Sequence, residues 1–171
     1  MKILIYTTHR TGSTSLANFL MFNYTYDYQR HNYFKSVRNN IPNDVIIKLT
    51  PNEENYNEIS NYFDKRIVLI RENVKSQAES RVFSDIFGKK FSSYSISDSF
   101  LNQYSNQILE MQSLIQSENN ELSSYSNCVH ITYDELFKSN IGIVKLESYF
   151  NTKFKYGLEY KTYRNMNQNL I

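Results

Sequence analysis

The run Arg66-Ile67-Val68-Leu69-Ile70 constrains this chain more than any other segment, because its apolar residues follow one another without a polar alternate. A strand with one wet face alternates apolar and polar positions. An unbroken apolar run instead belongs to a strand covered on both faces, as in a parallel sheet with helices on either side. Three further segments suit the same sheet: residues 3–7, 45–49 and 128–132. Helical patterns lie between them. Residues 13–24 put Leu16, Phe19 and Leu20 on one face, and residues 74–87 follow the 66–70 strand directly. Phe100, Leu101, Tyr104, Ile108, Met111 and Ile115 recur at helical spacing in one long helix, and residues 136–150 read as mostly helical. Thr50-Pro51-Asn52-Glu53 has the makings of a helix start, with Thr at the N-cap, Pro at the first position and Glu completing a capping box; that helix is expected to run to about Phe63. Residues 24–43 are aromatic and basic without a period and are expected to form an irregular excursion, while Gly88 and residues 92–97 suit a loop. Strands alternating with helices predict an α/β fold of three layers around a central, mainly parallel sheet, with ligands at the carboxyl ends of the strands.

The length of 171 residues fits one domain over 1–171. No stretch approaches the ~20 apolar residues of a membrane span. The opening run to Tyr6 is too short for a signal-peptide core, and a lone Cys128 with three scattered His offers neither a disulfide nor a metal motif. These features predict a cytoplasmic protein without structural metal. The apolar face of the long helix reads as core, with a dimer seam as its alternative, so either a monomer or a homodimer is expected. A formal charge of +2 is too small to imply a nucleic-acid partner, but its distribution is uneven: residues 1–50 carry a net +4, residues 51–152 a net −5 and residues 153–171 a net +3. A basic beginning and end suit an anionic small ligand near the first strand; scattered surface charge is the alternative. Enrichment in Asn, Ser, Lys, Ile and Tyr is what AT-rich coding produces, so Tyr-rich patches carry little functional weight. With only four Gly in the chain, Gly12 stands out all the more in a hydroxyl-rich stretch directly after a strand.

That stretch, Thr8-His9-Arg10-Thr11-Gly12-Ser13-Thr14-Ser15, opens into a helix. Backbone N–H groups at a helix start, aided by the helix dipole, make an anion site to which Ser13, Thr14 and Ser15 can add hydroxyls. The alternative is an ordinary helix whose Ser and Thr cap it. It is not a Walker A loop, which needs a second glycine followed by lysine. A second candidate anion site follows the 66–70 strand, where Arg71 stands at the strand end with Ser76 and Ser80 on the next helix. A guanidinium there can grip a phosphate in bidentate fashion. Its alternative is a surface pair with Glu72 or Glu79.

Taken in order, these residues resemble the sulfotransferases that use 3′-phosphoadenosine 5′-phosphosulfate (PAPS), as a short bacterial or phage-type member. Arg10-Thr11-Gly12-Ser13-Thr14 is similar to the family's loop for the 5′-phosphosulfate. Arg71 with Ser80 is similar to its 3′-phosphate pair, and Ile131-Thr132-Tyr133-Asp134-Glu135-Leu136 to a late strand-and-helix segment. The resemblance spans residues 2–150. It implies a P-loop-like fold, PAPS as co-substrate, no metal, and sulfuryl transfer to a hydroxyl acceptor, either a carbohydrate or another small molecule. The PAPS site it implies is Arg10, Thr11, Gly12, Ser13, Thr14, Ser15, Arg71 and Ser80, with Arg10 as the catalytic cation. Lys48 is the second catalytic cation candidate, with a solvated strand-end lysine as its alternative. The chain departs from the family at Thr50, where cytosolic members carry the histidine base in Lys-Thr-His. A base must then come from elsewhere, and His31, His9 and Glu53 are the candidates, with His31 placed among rings and cations. Lys161 and Arg164 are candidates to close over the nucleotide. The other readings are a P-loop-like nucleotide kinase or hydrolase and a catalytically silent nucleotide-binding module.

Overall fold

The computed structural model describes residues 1–88 and 96–158. Five strands form one sheet in the order β2-β3-β1-β4-β5. They are β1 (Lys2–Thr7), β2 (Asp27–Arg30), β3 (Val45–Leu49), β4 (Lys65–Ile70) and β5 (Val129–Thr132), and each neighbouring pair is parallel. The helices are α1 (Ser13–Tyr24), α2 (His31–Val37), α3 (Tyr56–Ile59), α4 (Val74–Phe87), α5 (Asp98–Gln103), α6 (Ser105–Ser124), α7 (Tyr133–Phe137) and α8 (Ile141–Phe150). This is the expected α/β layer fold.

The pleat of β1 explains the layering, since successive side chains leave opposite faces. Ile3 and Ile5 pack with Leu16, Ala17, Phe19 and Leu20 of α1 and with Leu136 and Leu146 beyond β5. Leu4 and Tyr6 enter a second core with Phe34 of α2, Ile59 of α3 and Leu122 of α6. In β4, Ile67 and Leu69 join the first core and Val68 the second, so its apolar run is buried on both faces. A third cluster, Ala78, Val82, Phe100, Ile108 and Ile115, joins α4 to α5 and α6. The apolar stripe of the long helix is therefore largely core.

Four expectations need correction. Residues 24–43 are not wholly irregular, because they hold β2 and α2. The helix expected from Thr50 shrinks to α3 followed by a 3-10 turn, Ser60–Tyr62. Glu53 does accept from the Thr50 N–H (2.9 Å), but the Thr50 hydroxyl gives no bond in return. Asn55, in extended backbone, caps the helix instead by accepting from the Asn57 N–H. The long helix breaks at Tyr104, whose φ of −109° and ψ of 20° separate α5 from α6. The helix expected over 136–150 begins earlier and is interrupted, as a complete capping box between Thr132 and Glu135 starts α7. Most of the loop expected over 92–97 lies outside the described residues, as do Lys161 and Arg164.

Candidate functional site

β1 runs into a loop whose foot is closed by hydroxyls. The Thr7 Oγ1 donates to the Leu69 carbonyl (2.6 Å), which leaves the Thr11 hydroxyl to donate to Thr7 Oγ1, also at 2.6 Å. Thr11 is completely buried, so it offers the site its backbone and not its side chain. Two residues of the loop are left-handed, Arg10 with φ 64° and Gly12 with φ 80°. Gly12 is the N-cap of α1, and its carbonyl accepts from the N–H groups of Ser15 (3.0 Å) and Leu16 (3.2 Å). No side chain caps this helix and no acid lies in its first turn. The reading as a helix capped by Ser or Thr is thereby set aside: the cap is a glycine, and among the described residues no side chain meets the positive end of the dipole. Glycine is also demanded by packing, since a Cβ there would lie 2.5 Å from Phe137 Cε2 and 3.2 Å from Tyr133 Cε2. Ser13 is buried, Ser15 half-buried and Thr14 exposed at the rim.

Arg71 follows β4 and reaches back across the sheet edge. One Nη donates to the Arg10 carbonyl (3.1 Å) and the other to Ser76 Oγ (2.8 Å), while the guanidinium carbon lies 4.8 Å from the centre of the Tyr133 ring. Its carbonyl accepts from Asn119 Nδ2 (3.2 Å), and its Nε is buried with no partner among the described residues. Ser80 is bonded not to Arg71 but to Arg10, whose Nε donates to its Oγ at 2.9 Å. The two anion features that the sequence separates are thus joined through a single turn.

The other half of this edge lies over β3 and β2. Lys48 is half-buried in β3, in register with Ile5 of β1 and Arg30 of β2. Thr50 follows the strand, 2% exposed, and its Oγ1 has no partner among the described residues. His31 starts α2 at the far side of β3, with Nε2 3.1 Å from Glu54 Oε1; Arg38 holds the other carboxylate oxygen at 3.4 Å. His9 is exposed beside the cradle. Packing around it, then the positive charges of Arg81 and Lys48, hold its imidazole below the usual histidine range, with Glu53 and Glu118 opposing. Arg81 of α4 pairs with Glu118 of α6 at 3.2 Å, both nearly buried, and Asn52 Nδ2 donates to the same carboxylate (3.4 Å).

Sequence reasoning overlooked Gln77, Arg81, Glu118 and Asn119. The signal was present for α4, because Gln77, Ser80 and Arg81 stand at i, i+3 and i+4 and give that helix a polar stripe on a face the fold buries.

No protein-family model matches the chain, and no curated protein matches it in sequence. Among solved structures, it is similar to the mouse sulfotransferase SULT7A1 complexed with PAP, with a TM-score of 0.58 at 13% identity, covering 98% of this chain and 63% of that one. The fold is sulfotransferase-like. A looser likeness to an unliganded sugar kinase from Janibacter sp. HTCC2649 has a TM-score of 0.46 at 10% identity, covering 88% of this chain and 94% of the kinase, and carries no argument. The chain thus spans less than two thirds of the sulfotransferase it matches. Among the described residues no helix is long and apolar enough to cross a membrane, and no group of three His, Cys, Asp or Glu side chains is placed to hold a metal ion.

Proposed function

We propose that the chain transfers a sulfuryl group from PAPS to a hydroxyl acceptor, a carbohydrate or another small molecule. The observation that carries this reading is the meeting of Arg10, Arg71, Ser76 and Ser80 around one turn at the carboxyl edge of the sheet. Two anion sites side by side suit a nucleotide that bears phosphate at both its 3′ and 5′ positions. The residues fit such a ligand: the start of α1 has no side-chain cap, and the buried Nε of Arg71 has a donor to spare among the described residues. The likeness to a sulfotransferase complexed with PAP supports the same reading.

In this reading the acceptor oxygen attacks sulfur in line, and the bond from sulfur to the oxygen of the 5′-phosphate breaks. Negative charge collects on that leaving oxygen. Arg10 and the amides of Thr11, Gly12, Ser13 and Thr14 meet it, and loss of one such preorganised donor typically costs ~3–4 kcal/mol of barrier. Ser15 lines the same helix start, and Lys48 supplies a second cation from β3. The acceptor proton passes to an imidazole. His9, beside the cradle, with its imidazole pushed below the usual histidine range by the packing around it and then by Arg81 and Lys48, is the first choice; His31, bonded to Glu54 across β3, is the second. Glu53 is already engaged by the Thr50 N–H.

One observation favours a second reading. Where the resemblance calls for a histidine base, Thr50 is buried with an unpartnered hydroxyl among the described residues, which suits a silent nucleotide-binding module. An assay of PAP release from PAPS in the presence of pooled sugar, phenol and steroid alcohols separates the two. Acceptor-dependent release is expected of the transferase. Tight binding of PAP without release from any pool belongs to the silent module.

A further inference from the structure

Gln77 is the one amide side chain in α4 that is completely buried, and it is spent on the loop after β1. Its Nε2 lies 2.6 Å from the His9 carbonyl and 2.6 Å from Thr8 Oγ1. The carbonyl can only accept, so the amide orientation is fixed and both bonds come from the nitrogen. Its Oε1 has no partner among the described residues. A residue kept only to fill space would not need an amide, since an apolar side chain of the same volume carries no Oε1 to bury unpaired; what an apolar residue could not do is donate to the His9 carbonyl and the Thr8 hydroxyl.

The position of these bonds gives Gln77 a purpose. The residue that follows His9 is Arg10, which sits at φ 64°, a conformation that costs an ordinary residue free energy and persists only where the surroundings hold it. The carbonyl before this residue is held by Gln77 and its own carbonyl by Arg71 at 3.1 Å. Ser80, one turn along α4 from Gln77, accepts from Arg10 Nε. The turn is therefore gripped from the β4–α4 unit at both peptide groups and at the side chain.

We infer that Gln77 is a positioning residue for the anion cradle, fixing the left-handed turn at Arg10 and with it the direction of the Arg10 guanidinium and the start of α1. The consequence for ligands rests on the reading that the cradle takes the 5′-phosphate. Gln77 then governs affinity for any 5′-phosphorylated nucleotide, while the preference for a 3′-phosphate stays with Arg71 and its neighbouring hydroxyls.

The test uses the full chain and Gln77→Met, which fills the space without donating. Two readouts keep the inference separate from the reading it rests on. In amide hydrogen exchange, the variant should release the Ser15 and Leu16 amides, the first that bond to the Gly12 carbonyl, at least tenfold faster, while the amides of β1, β3 and β4 keep their protection. In calorimetry, PAP and AMP should both bind at least tenfold more weakly than to the wild type, with the ratio between them retained. Unchanged exchange at Ser15 and Leu16 overturns the inference, as does a folded variant with wild-type affinity for both nucleotides. If Gln77→Met does not fold, Gln77→Asn keeps an amide one methylene short of the two acceptors, and wild-type exchange and affinity there count equally against the inference. Should the wild type bind neither nucleotide, the sulfuryl-transfer reading fails, and the exchange readout decides the role of Gln77.

Discussion

Arg10 and Gly12 both carry positive φ, for different reasons. Gly12 adopts it without a Cβ penalty, and a Cβ there would also press on the Phe137 ring of α7. Arg10 could relax, but its neighbours grip it, and the result aims a guanidinium along the edge where the cradle opens. If its role is to meet charge that develops during transfer, Arg10→Ala should lower kcat by about a hundredfold or more, against a loss of at most about tenfold in PAP affinity. Equal losses in both would make it a binding residue only. His9 allows a pH test. Its imidazole is held below the ordinary value of 6.5, so the unfolded chain binds this proton more readily than the folded one. Its contribution to stability is thus fully present above 6.5 and is lost as the pH falls through the folded value. Thermal midpoints should show the wild type losing more stability than His9→Gln as the pH falls below 6.5 toward the folded value, and a constant difference between the two above 6.5. Parallel slopes would mean that His9 is unperturbed. In a pH–rate profile the acidic limb should disappear in His9→Gln and survive in His31→Gln; the reverse result assigns the proton to His31.

α4 and α6 form the wall behind the cradle, and one ion pair crosses between them. Arg81 and Glu118 are 12% and 8% exposed, so each charge depends on the other. Removing one partner should cost ~3–5 kcal/mol because the remaining charge is stranded, whereas removing both should cost less than the sum of the two. A double-mutant cycle in urea with Arg81→Met and Glu118→Leu reads this directly, and additive losses would show that the pair is not coupled. Elements differ in how plainly the chain announces them. β1, β3, β4 and α1 were legible because a short unbroken apolar run between turns suits a buried strand, and a 3.6-residue stripe suits an amphipathic helix. β2 was not, because Asp27-Tyr28-Gln29-Arg30 is a short, polar edge strand paired on one side only, and an edge strand needs no apolar run. α2 buries only Phe34, too little to set a period among so many tyrosines. The start of α7 was missed, although Thr132-Tyr133-Asp134-Glu135 is a capping-box pattern, because its N-cap is also the last residue of β5. At the site, the residue types of both anion features could be read, but their cross-pairing could not, since Arg10 and Ser80 are seventy positions apart and meet only through the sheet order.

For the whole molecule, the sheet order puts β1 at the centre with β3 and β4 on either side, so the loop after β1 faces the ends of both. The basic first fifty residues supply Arg10, Lys48 and the start of α1 to that edge, and Arg71 comes from the acidic middle as one of its cations. The central claim is that this edge recognises two phosphates of one nucleotide. Isothermal calorimetry of the full chain with PAP and with AMP tests it most directly. A charged hydrogen bond contributes ~1.5–3 kcal/mol, so PAP should bind about ten- to a hundredfold more tightly than AMP, and Arg71→Ala should bring the two affinities close together. Equal affinity of the wild type for PAP and AMP, or no binding of either, would contradict the account.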